Sequence, residues 1–376
     1  MKITSYEVLG KLPDLFTFDN GEKVKTLEDW EKRRKEIYKT AVELQYGEIP
    51  PKPEFLEIDP LASVSDERIR IFRIRTGTRK CPVAFTVYAH VPVGKGPFPA
   101  VIDGDLCYTC MQTPEISKKF TDHGIMLLKF NRCEIVPDTR DPKRTNNLYE
   151  TYSDIQFGAI AAWAWGYSRV VDALEILGLA DMSSITFTGL SRGGKTAMLA
   201  GVLDERASIV NPEATCAGSC SCYRIHMKAL REDGSEGRSE TLKDIINNFP
   251  DWFGPGMKAY EDDEASLPFD SHSLKALIAP RVFFDSQAES DIWSGPVNTY
   301  QTSLAALEVW KMYGKAENVL WYWRKGGHDH KPEDFDMLIE VIERETLGTP
   351  LKSEKFMKLP FDPPEPIFDW KAPFYG

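Results

Sequence analysis

The spacing of apolar residues changes character along the chain. Residues 27–44 repeat at helical spacing behind a plausible N-cap, Thr26, and a proline-rich connector at 49–53 follows. Alternating or short apolar runs, typical of β-strands, come next at 68–75, 83–91, 99–102 and 125–130. The first third of the chain therefore predicts one helix followed by a series of strands.

Beyond residue 130 the pattern alternates between helices and strands. Helical spacing predicts helices at 154–177, 195–203, 304–312 and 334–345. Between them, short apolar runs predict strands at 185–188, 208–210, 282–284 and 319–323. This alternation predicts an α/β protein with a mostly parallel central sheet and helices on both faces, a three-layer sandwich.

The same pattern suggests how the chain is organised. We expect residues 1–60 to form an N-terminal helical extension that packs on a main domain of residues 61–376. The polar stretch at 223–272, rich in Gly and Pro around Trp252, reads as an insertion over one end of the sheet. The chain shows no internal repeat.

Composition narrows the class of protein. The chain has 376 residues, 42% of them hydrophobic, and a formal net charge of −11. An acidic surface repels phosphate backbones, which argues against nucleic-acid binding. No apolar run reaches the roughly 18 residues that span a bilayer, and the start lacks a signal core of about 7–15 apolar residues. We therefore expect a cytoplasmic protein without a membrane partner.

Seven cysteines are too few and too uneven for a disulfide scaffold. Cys107 and Cys110, and the group Cys216, Cys220 and Cys222, lack the paired spacing of a zinc site. Free thiols in a reducing compartment are the simpler interpretation, and we expect neither a metal nor a cofactor.

The strongest chemical signal is the sequence Gly-Leu-Ser-Arg-Gly at 189–193. It lies between a predicted strand and a predicted helix, which is the context of the nucleophile elbow in α/β-hydrolases. The turn raises the Ser191 hydroxyl above the sheet and places a helix N-terminus beneath it. Ser191 is the candidate nucleophile, and the backbone N–H of Arg192 is the candidate oxyanion donor.

A serine needs a base, and in this fold the histidine follows the serine and the acid in the chain. His328 lies in a Gly-Gly-His-Asp-His sequence directly after the predicted strand 319–323, where such a loop belongs. His330 is the rival base. His226 and His272 read as structural histidines.

The acid that orients the histidine has three candidates. Asp291 follows the strand 282–284, the usual place between serine and histidine, and Glu289 is nearby. Glu213 follows an earlier strand. The residues favour Asp291 and leave the others open. A second oxyanion donor is expected near residues 105–106, after the strand 99–102.

Several ordered motifs resemble carbohydrate esterase family 15, the glucuronoyl esterases, and the related bacterial acetyl-xylan-esterase-like α/β-hydrolases. They are Ala-Trp-Ala-Trp-Gly at 162–166, Ser-Arg-Gly-Gly-Lys at 191–195, Asp-Glu-Arg at 204–206, Leu-Pro-Phe-Asp-Ser-His at 267–272, Leu-Ile-Ala-Pro-Arg at 277–281 and Gly-Gly-His at 326–328. The resemblance implies an α/β-hydrolase fold, with Ser191 as nucleophile, His328 as base and Arg192 in the oxyanion hole. It also implies that Lys195 reaches sugar hydroxyls and that Trp293 packs against a sugar face.

The chain departs from the family pattern at three places. Where many members carry the acidic residue of a Pro-Gln-Glu-Ser-Gly segment, this chain has Ala214, with Glu213 one place early, which favours Asp291. Leu190 and Thr302 stand where secreted relatives have cysteines, so the disulfides of those relatives are expected to be absent. This agrees with a cytoplasmic location.

Together these observations predict a cofactor-free serine carboxylic-ester hydrolase that works through an acyl-enzyme. The expected substrates are carbohydrate-linked esters, either glucuronoyl esters or acetyl esters of xylan-type oligosaccharides. The alternatives are a catalytically inactive sugar-binding homologue and a general small-ester hydrolase or thioesterase. The sequence predicts no oligomeric state.

Overall fold

The structure is a computed structural model that describes residues 2–64, 68–108, 113–140, 144, 147–231 and 233–375. Cys110 lies outside the described residues. Within them, no helix is long and apolar enough to cross a membrane.

A nine-stranded sheet forms the centre of the molecule. Its strands are β2 (Phe55–Val64), β3 (Ile69–Gly77), β4 (Pro82–His90), β5 (Phe98–Asp103), β6 (Met126–Phe130), β7 (Ala180–Leu190), β8 (Ala207–Glu213), β11 (Val282–Ala288) and β12 (Val319–Arg324). Their order is β12-β11-β8-β7-β5-β6-β4-β3-β2. The six strands from β12 to β6 run parallel, and β4, β3 and β2 extend the sheet antiparallel. The mostly parallel sheet is thus as predicted.

Helices cover both faces of this sheet. The helices of the described residues are α1 (Leu27–Tyr38), α2 (Pro114–Asp122), α3 (Leu148–Thr151), α4 (Ala159–Leu177), α5 (Arg192–Leu203), α6 (Leu242–Asn248), α7 (Ser271–Ala276), α8 (Pro296–Met312) and α9 (Pro332–Leu347). A π-helical turn, Lys39–Leu44, continues α1. Short 3₁₀ turns lie at Arg132–Glu134, Pro255–Tyr260, Glu264–Ser266 and Ala316–Asn318.

Strand β5 shows how the three layers arise. Ala100 and Ile102 lie in the apolar cluster that also contains the buried face of α4, whereas Val101 lies in a second cluster with Phe120 of α2 and Phe335 of α9. Successive residues of a strand point to opposite faces, so a continuously apolar strand must be covered on both sides. The predicted three-layer α/β sandwich is confirmed.

The N-terminal region differs from the predicted helical extension. Besides α1 it contains two strands: β1 (Lys2–Val8), and β2, which is an edge strand of the main sheet and crosses the predicted boundary at residue 60. The sequence of β2 includes Asp59 and Pro60 and is largely exposed. Edge strands tolerate such residues. Because β2 lacks a clear alternation of apolar and polar residues, the sequence pattern did not predict it.

The insertion at 223–272 is also more ordered than its polar sequence suggests. It contains β9 (Ile225–Leu230), β10 (Glu236–Arg238) and α6, and β9 pairs on one side with β10 and on the other with β1. Ile225, Met227 and Ala229 of β9 are buried. The insertion is a packed wall, and the N-terminal strand is part of it.

Candidate active site

Ser191 occupies a strained turn between β7 and α5. Its backbone angles are φ 58° and ψ −119°, a region that non-glycine residues rarely adopt. The flanking glycines make the turn possible: a Cβ at Gly189 would lie 2.6 Å from the carbonyl carbon of Gly193, and one at Gly193 would overlap the carboxylate of Asp105. The sequence Gly-Leu-Ser-Arg-Gly therefore forms the sharp strand-to-helix turn that its spacing predicts.

His328 and Asp291 are brought together by two neighbouring strands. β11 and β12 are parallel, and their pairing continues past the strand ends, where Glu289 N–H donates to the Arg324 carbonyl and Ser290 N–H to the Gly326 carbonyl, both at 2.9 Å. As a result, Asp291 Oδ2 lies 2.7 Å from Nδ1 of His328. The parallel strands β7 and β12 end at the same edge of the sheet, so this pair and Ser191 share that edge.

The surroundings of His328 favour its charged form. Burial lowers the pKa of His328, but the hydrogen bond and the negative charge of Asp291 raise it, and the charge of Glu240 raises it as well. The net result is a pKa above the ordinary value of histidine. An imidazole with this partner accepts a proton readily at Nε2, because Nδ1 faces the carboxylate.

The rival residues, Glu213 and His330, form a separate buried group. His330 Nε2 lies 2.7 Å from Glu213 Oε2, and both side chains are about 2% exposed. Burial raises the pKa of Glu213 to about 8, and burial together with Glu213 raises that of Asp334 to about 8. Glu213 is thus placed against His330, whereas Asp291 contacts His328.

Glu213, His330 and Asp334 also form the one group of potential metal ligands found among the described residues. The fit is poor. The 2.7 Å between Glu213 and His330 is a hydrogen-bond distance, and the Arg324 guanidinium already contacts Asp334 at 2.8 Å. The guanidinium already brings a positive charge into this buried group, and a cation would add a second one, so we assign no metal here.

Arg192 begins α5, where backbone N–H groups have no helical acceptor. Its guanidinium lies 4.6 Å from the ring centroids of both Phe249 and Trp252, and it donates to Asp138 at 2.9 Å. The backbone N–H of Arg192 thus lies in the first turn of α5, and its part in an oxyanion hole stays a prediction.

The second oxyanion donor is not where the sequence suggested. The N–H of Asp105 donates to its neighbour Asp103 at 2.6 Å, and the N–H of Leu106 donates to the Phe130 carbonyl at 3.2 Å. Both groups are committed to holding the loop after β5. The expectation of a donor at residues 105–106 is wrong for this reason.

Lys195 is placed differently from its expected role. Its side chain is 1% exposed, and the ammonium donates to Glu240 at 2.9 Å, to the Ala217 carbonyl at 2.5 Å and to the Thr215 carbonyl. An ammonium has three donors, so none is left for sugar hydroxyls unless one partner is released.

Trp293 lies two residues beyond Asp291 and is half-buried. The guanidinium of Arg238 is 5.7 Å from its ring centroid, and the Trp293 carbonyl accepts from the N–H of Glu240 at 3.0 Å. Trp293 is thereby attached to the insertion, beside the catalytic-acid candidate.

The six described cysteines are free thiols. Cys216, Cys220 and Cys222 are buried, and the Thr302 hydroxyl donates to the Cys220 carbonyl. Thr302, which stands where secreted relatives are expected to have a cysteine, thus makes a hydrogen bond here.

Sequence reasoning missed Glu240. It is an isolated acidic residue in a polar stretch, with no motif around it. Its importance comes from burial and from its partner Lys195, and neither is visible in spacing along the chain. Burial raises the pKa of Glu240, although the Lys195 charge opposes this.

Comparison with known proteins identifies the family. Residues 74–314 match the model of the family described as "Glucuronyl esterase, fungi". The chain belongs to this glucuronyl esterase family. It is also 32% identical over 330 residues to the 4-O-methyl-glucuronoyl methylesterase of Podospora anserina, an alignment that covers 86% of this chain. The chain spans 64% of the length of that relative.

Solved structures of glucuronoyl esterases share the fold. The carbohydrate esterase family 15 glucuronoyl esterase from Caldicellulosiruptor kristjansonii superposes with a TM-score of 0.83 at 26% identity, covering 96% of both chains. The glucuronoyl esterase mutant from Sporotrichum thermophile, in complex with methyl 4-O-methyl-beta-D-glucopyranuronate, gives a TM-score of 0.74 at 27% identity, covering 93% of this chain and 91% of that one. The predicted α/β-hydrolase fold and the resemblance to glucuronoyl esterases are confirmed.

Proposed function

We propose that this glucuronyl esterase family member is a serine hydrolase of carbohydrate-linked carboxylic esters, with 4-O-methyl-glucuronoyl esters as its first substrate class. The observation that carries the proposal is the combination of a strained Ser191 elbow with a 2.7 Å contact between Asp291 and His328 at the same sheet edge. Family membership and the substrate named for the Sporotrichum thermophile complex support the choice of ester.

In the proposed reaction each of these groups has one role. Ser191 Oγ attacks the ester carbonyl while His328 Nε2 takes its proton, and Asp291 keeps Nδ1 protonated and stabilises the imidazolium. His328 then gives the proton to the departing alcohol. Water, activated by the same histidine, releases the uronic acid from the acyl-enzyme and regenerates Ser191.

Negative charge on the tetrahedral intermediate needs donors near the elbow. The backbone N–H of Arg192, at the positive end of α5, is the first. Nε of the same residue is buried without a hydrogen-bond partner among the described residues. We assign it as the second donor, in place of the loop after β5.

The sugar is expected to bind between the insertion and the loop that carries Asp291. The half-buried Trp293 offers an aromatic face to pyranose C–H groups, as the family resemblance implies. Lys195 and Glu240 form a buried ion pair near this region. A sugar hydroxyl could accept a hydrogen bond from Lys195 only by replacing one of its present partners.

A paired substrate panel tests the proposal. We expect purified protein to hydrolyse methyl 4-O-methylglucuronate, and Ser191→Ala to abolish this turnover. Hydrolysis of acetylated xylan oligosaccharides alone would instead indicate a deacetylase. Hydrolysis of p-nitrophenyl acetate alone would indicate a general small-ester hydrolase. Retained sugar binding without any turnover that depends on Ser191 would indicate the inactive homologue.

We further propose that the protein is cytoplasmic. The free thiols of the six described cysteines suit a reducing compartment such as the cytoplasm. The substrate would then be an imported oligosaccharide or a small ester.

A further inference from the structure

The loop that carries His328 is built around one buried side chain. Arg324, the last residue of β12, is 2% exposed and lies beneath the loop. Its Nη1 donates to the Lys325 carbonyl at 3.1 Å, and its Nη2 donates to the Gly327 carbonyl at 3.0 Å and to the Asp329 carbonyl. Two of these carbonyls belong to the residues on either side of His328.

The backbone of the loop follows the shape of the guanidinium. Residues 325–330 form neither a helix nor a strand, so the carbonyls that Arg324 binds have no place in a regular ladder. Gly326 has φ 105°, and a Cβ there would lie 3.1 Å from Nη1 of Arg324. The Arg324 side chain thus donates the hydrogen bonds that backbone N–H groups would supply to these carbonyls in a helix or a sheet.

The guanidinium is itself fixed from the opposite side. Its Nε donates to Asp334 Oδ2 at 2.8 Å, and both side chains are 1% exposed. The same carboxylate oxygen accepts the N–H of Lys331 at 2.8 Å at the start of α9. Arg324 therefore ties the histidine loop to the first turn of a helix that packs under the sheet.

We propose that Arg324 is a positioning residue for catalysis: it fixes the backbone on both sides of His328, while Asp291 fixes the imidazole ring. This inference rests on the proposed function, in which His328 is the base. Displacement of a catalytic group by about 1 Å costs on the order of 10²-fold in rate, so a loop without regular structure needs such an anchor.

Lysine cannot replace this group. Arg324 uses four of its five N–H donors in a planar arrangement, whereas an ammonium offers three donors from one point. Arg324→Lys keeps the positive charge beside Asp334 but loses at least one loop carbonyl. The variant separates the charge of the side chain from its geometry.

Arg281 provides a matched control. It lies just before β11, at the opposite end of the strands, and it also donates to backbone carbonyls: Gly201 at 2.7 Å, Ala207 at 2.9 Å and Asp204 at 3.2 Å. Arg281→Lys makes the same chemical change at a similarly bonded arginine away from the histidine loop.

The experiment measures kcat, KM, the thermal midpoint and the rate at which a fluorophosphonate probe labels Ser191. For Arg324→Lys we expect kcat and the labelling rate to fall about 10²-fold with KM within about twofold. Arg281→Lys should stay within about twofold of wild type in both rates. For Arg324→Ala, millimolar guanidinium should restore part of the lost kcat.

Three results would overturn the proposal: a labelling rate for Arg324→Lys equal to that of wild type, an equal loss in Arg281→Lys, or loss of folding in Arg324→Lys, which would make the residue a requirement of the fold. Failure of the proposed function looks different. In that case the wild-type protein itself would neither hydrolyse the esters nor be labelled at Ser191.

Discussion

The carboxylate of Asp105 accepts a hydrogen bond from the backbone N–H of Leu190 at 2.7 Å. Leu190 directly precedes Ser191, and the other oxygen of Asp105 binds the guanidinium of Arg132, with both side chains fully buried. The start of the loop after β5 therefore supports the Ser191 turn from the side, while the N–H groups of Asp105 and Leu106 bond within that loop.

Replacing this support should destabilise the protein. Asp105→Asn keeps the shape of the side chain but removes the closer of the two carboxylates that face the buried Arg132, which leaves Asp138 at 3.6 Å. Breaking a buried pair in this way costs about 3–5 kcal/mol, so the free energy of unfolding should fall by that amount in urea titrations. Asp369→Asn is the control: its ion pair with Lys11 is exposed, and we expect no resolvable change in the urea midpoint. Equal effects in the two variants would contradict this account of Asp105.

Asp291 and Glu213 can be separated by activity. Asp291→Asn should lower kcat by about 10⁴-fold with little change in KM, because the amide no longer orients and stabilises the protonated imidazole. Glu213→Gln should retain most of kcat, since Glu213 contacts His330 and its raised pKa, about 8, keeps it largely protonated at neutral pH. The reverse order of effects would assign the catalytic acid to Glu213.

Glu240 should contribute to the position of the acid limb of the pH profile, after the larger effect of Asp291. His328 acts as a base only when neutral, so kcat/KM should fall as pH drops below its raised pKa. Glu240→Gln removes a negative charge that raises this pKa and leaves Lys195 without its ion-pair partner, so the acid limb should move to lower pH. A limb at unchanged pH in the variant would show that Glu240 does not act on His328.

The buried acids predict how stability depends on pH. Glu213 and Asp334 hold protons in the folded state up to about pH 8, whereas in the unfolded chain they lose them near their ordinary pKa values of 4.5 and 3.8. The folded state therefore binds more protons between these limits, and these two residues make stability decline as pH rises through this window. Glu213→Gln removes one titrating group and relieves Asp334, so unfolding measured from pH 5 to 8 should show a flatter decline than in wild type. An unchanged slope would contradict the raised pKa values.

Sequence patterns predicted the central part of this molecule well. The strands β5 to β8, β11 and β12 each contain a run of apolar or β-branched residues, because both faces of a parallel sheet are covered. Ser191 and His328 follow such strands and carry local motifs. Asp291 and His328 follow β11 and β12, which are consecutive strands in the chain. Their contact could be predicted because consecutive strands are often neighbours in a sheet.

The features that sequence patterns missed depend on contacts between distant segments. β1 and β9 are short strands with mixed polar composition, and each is recognisable only through its pairing with the other. The hydrogen-bond partners of Lys195 come from segments 20 to 45 residues away. The sequence pattern around Lys195 therefore could not show that its ammonium is buried and occupied. Polar groups are buried by such packing between distant segments, and their burial does not appear in the hydrophobic periodicity of the sequence.

The pairing of β1 with β9 links the start of the chain to catalysis. β9 holds Ser239 through two hydrogen bonds of Met227, and Ser239 is followed by Glu240, which pairs with Lys195 and acts on His328. A continuous series of contacts thus joins β1 to Glu240, whose charge raises the pKa of His328. Loosening Lys2–Val8 should therefore lower the proton affinity of His328 if it displaces Glu240.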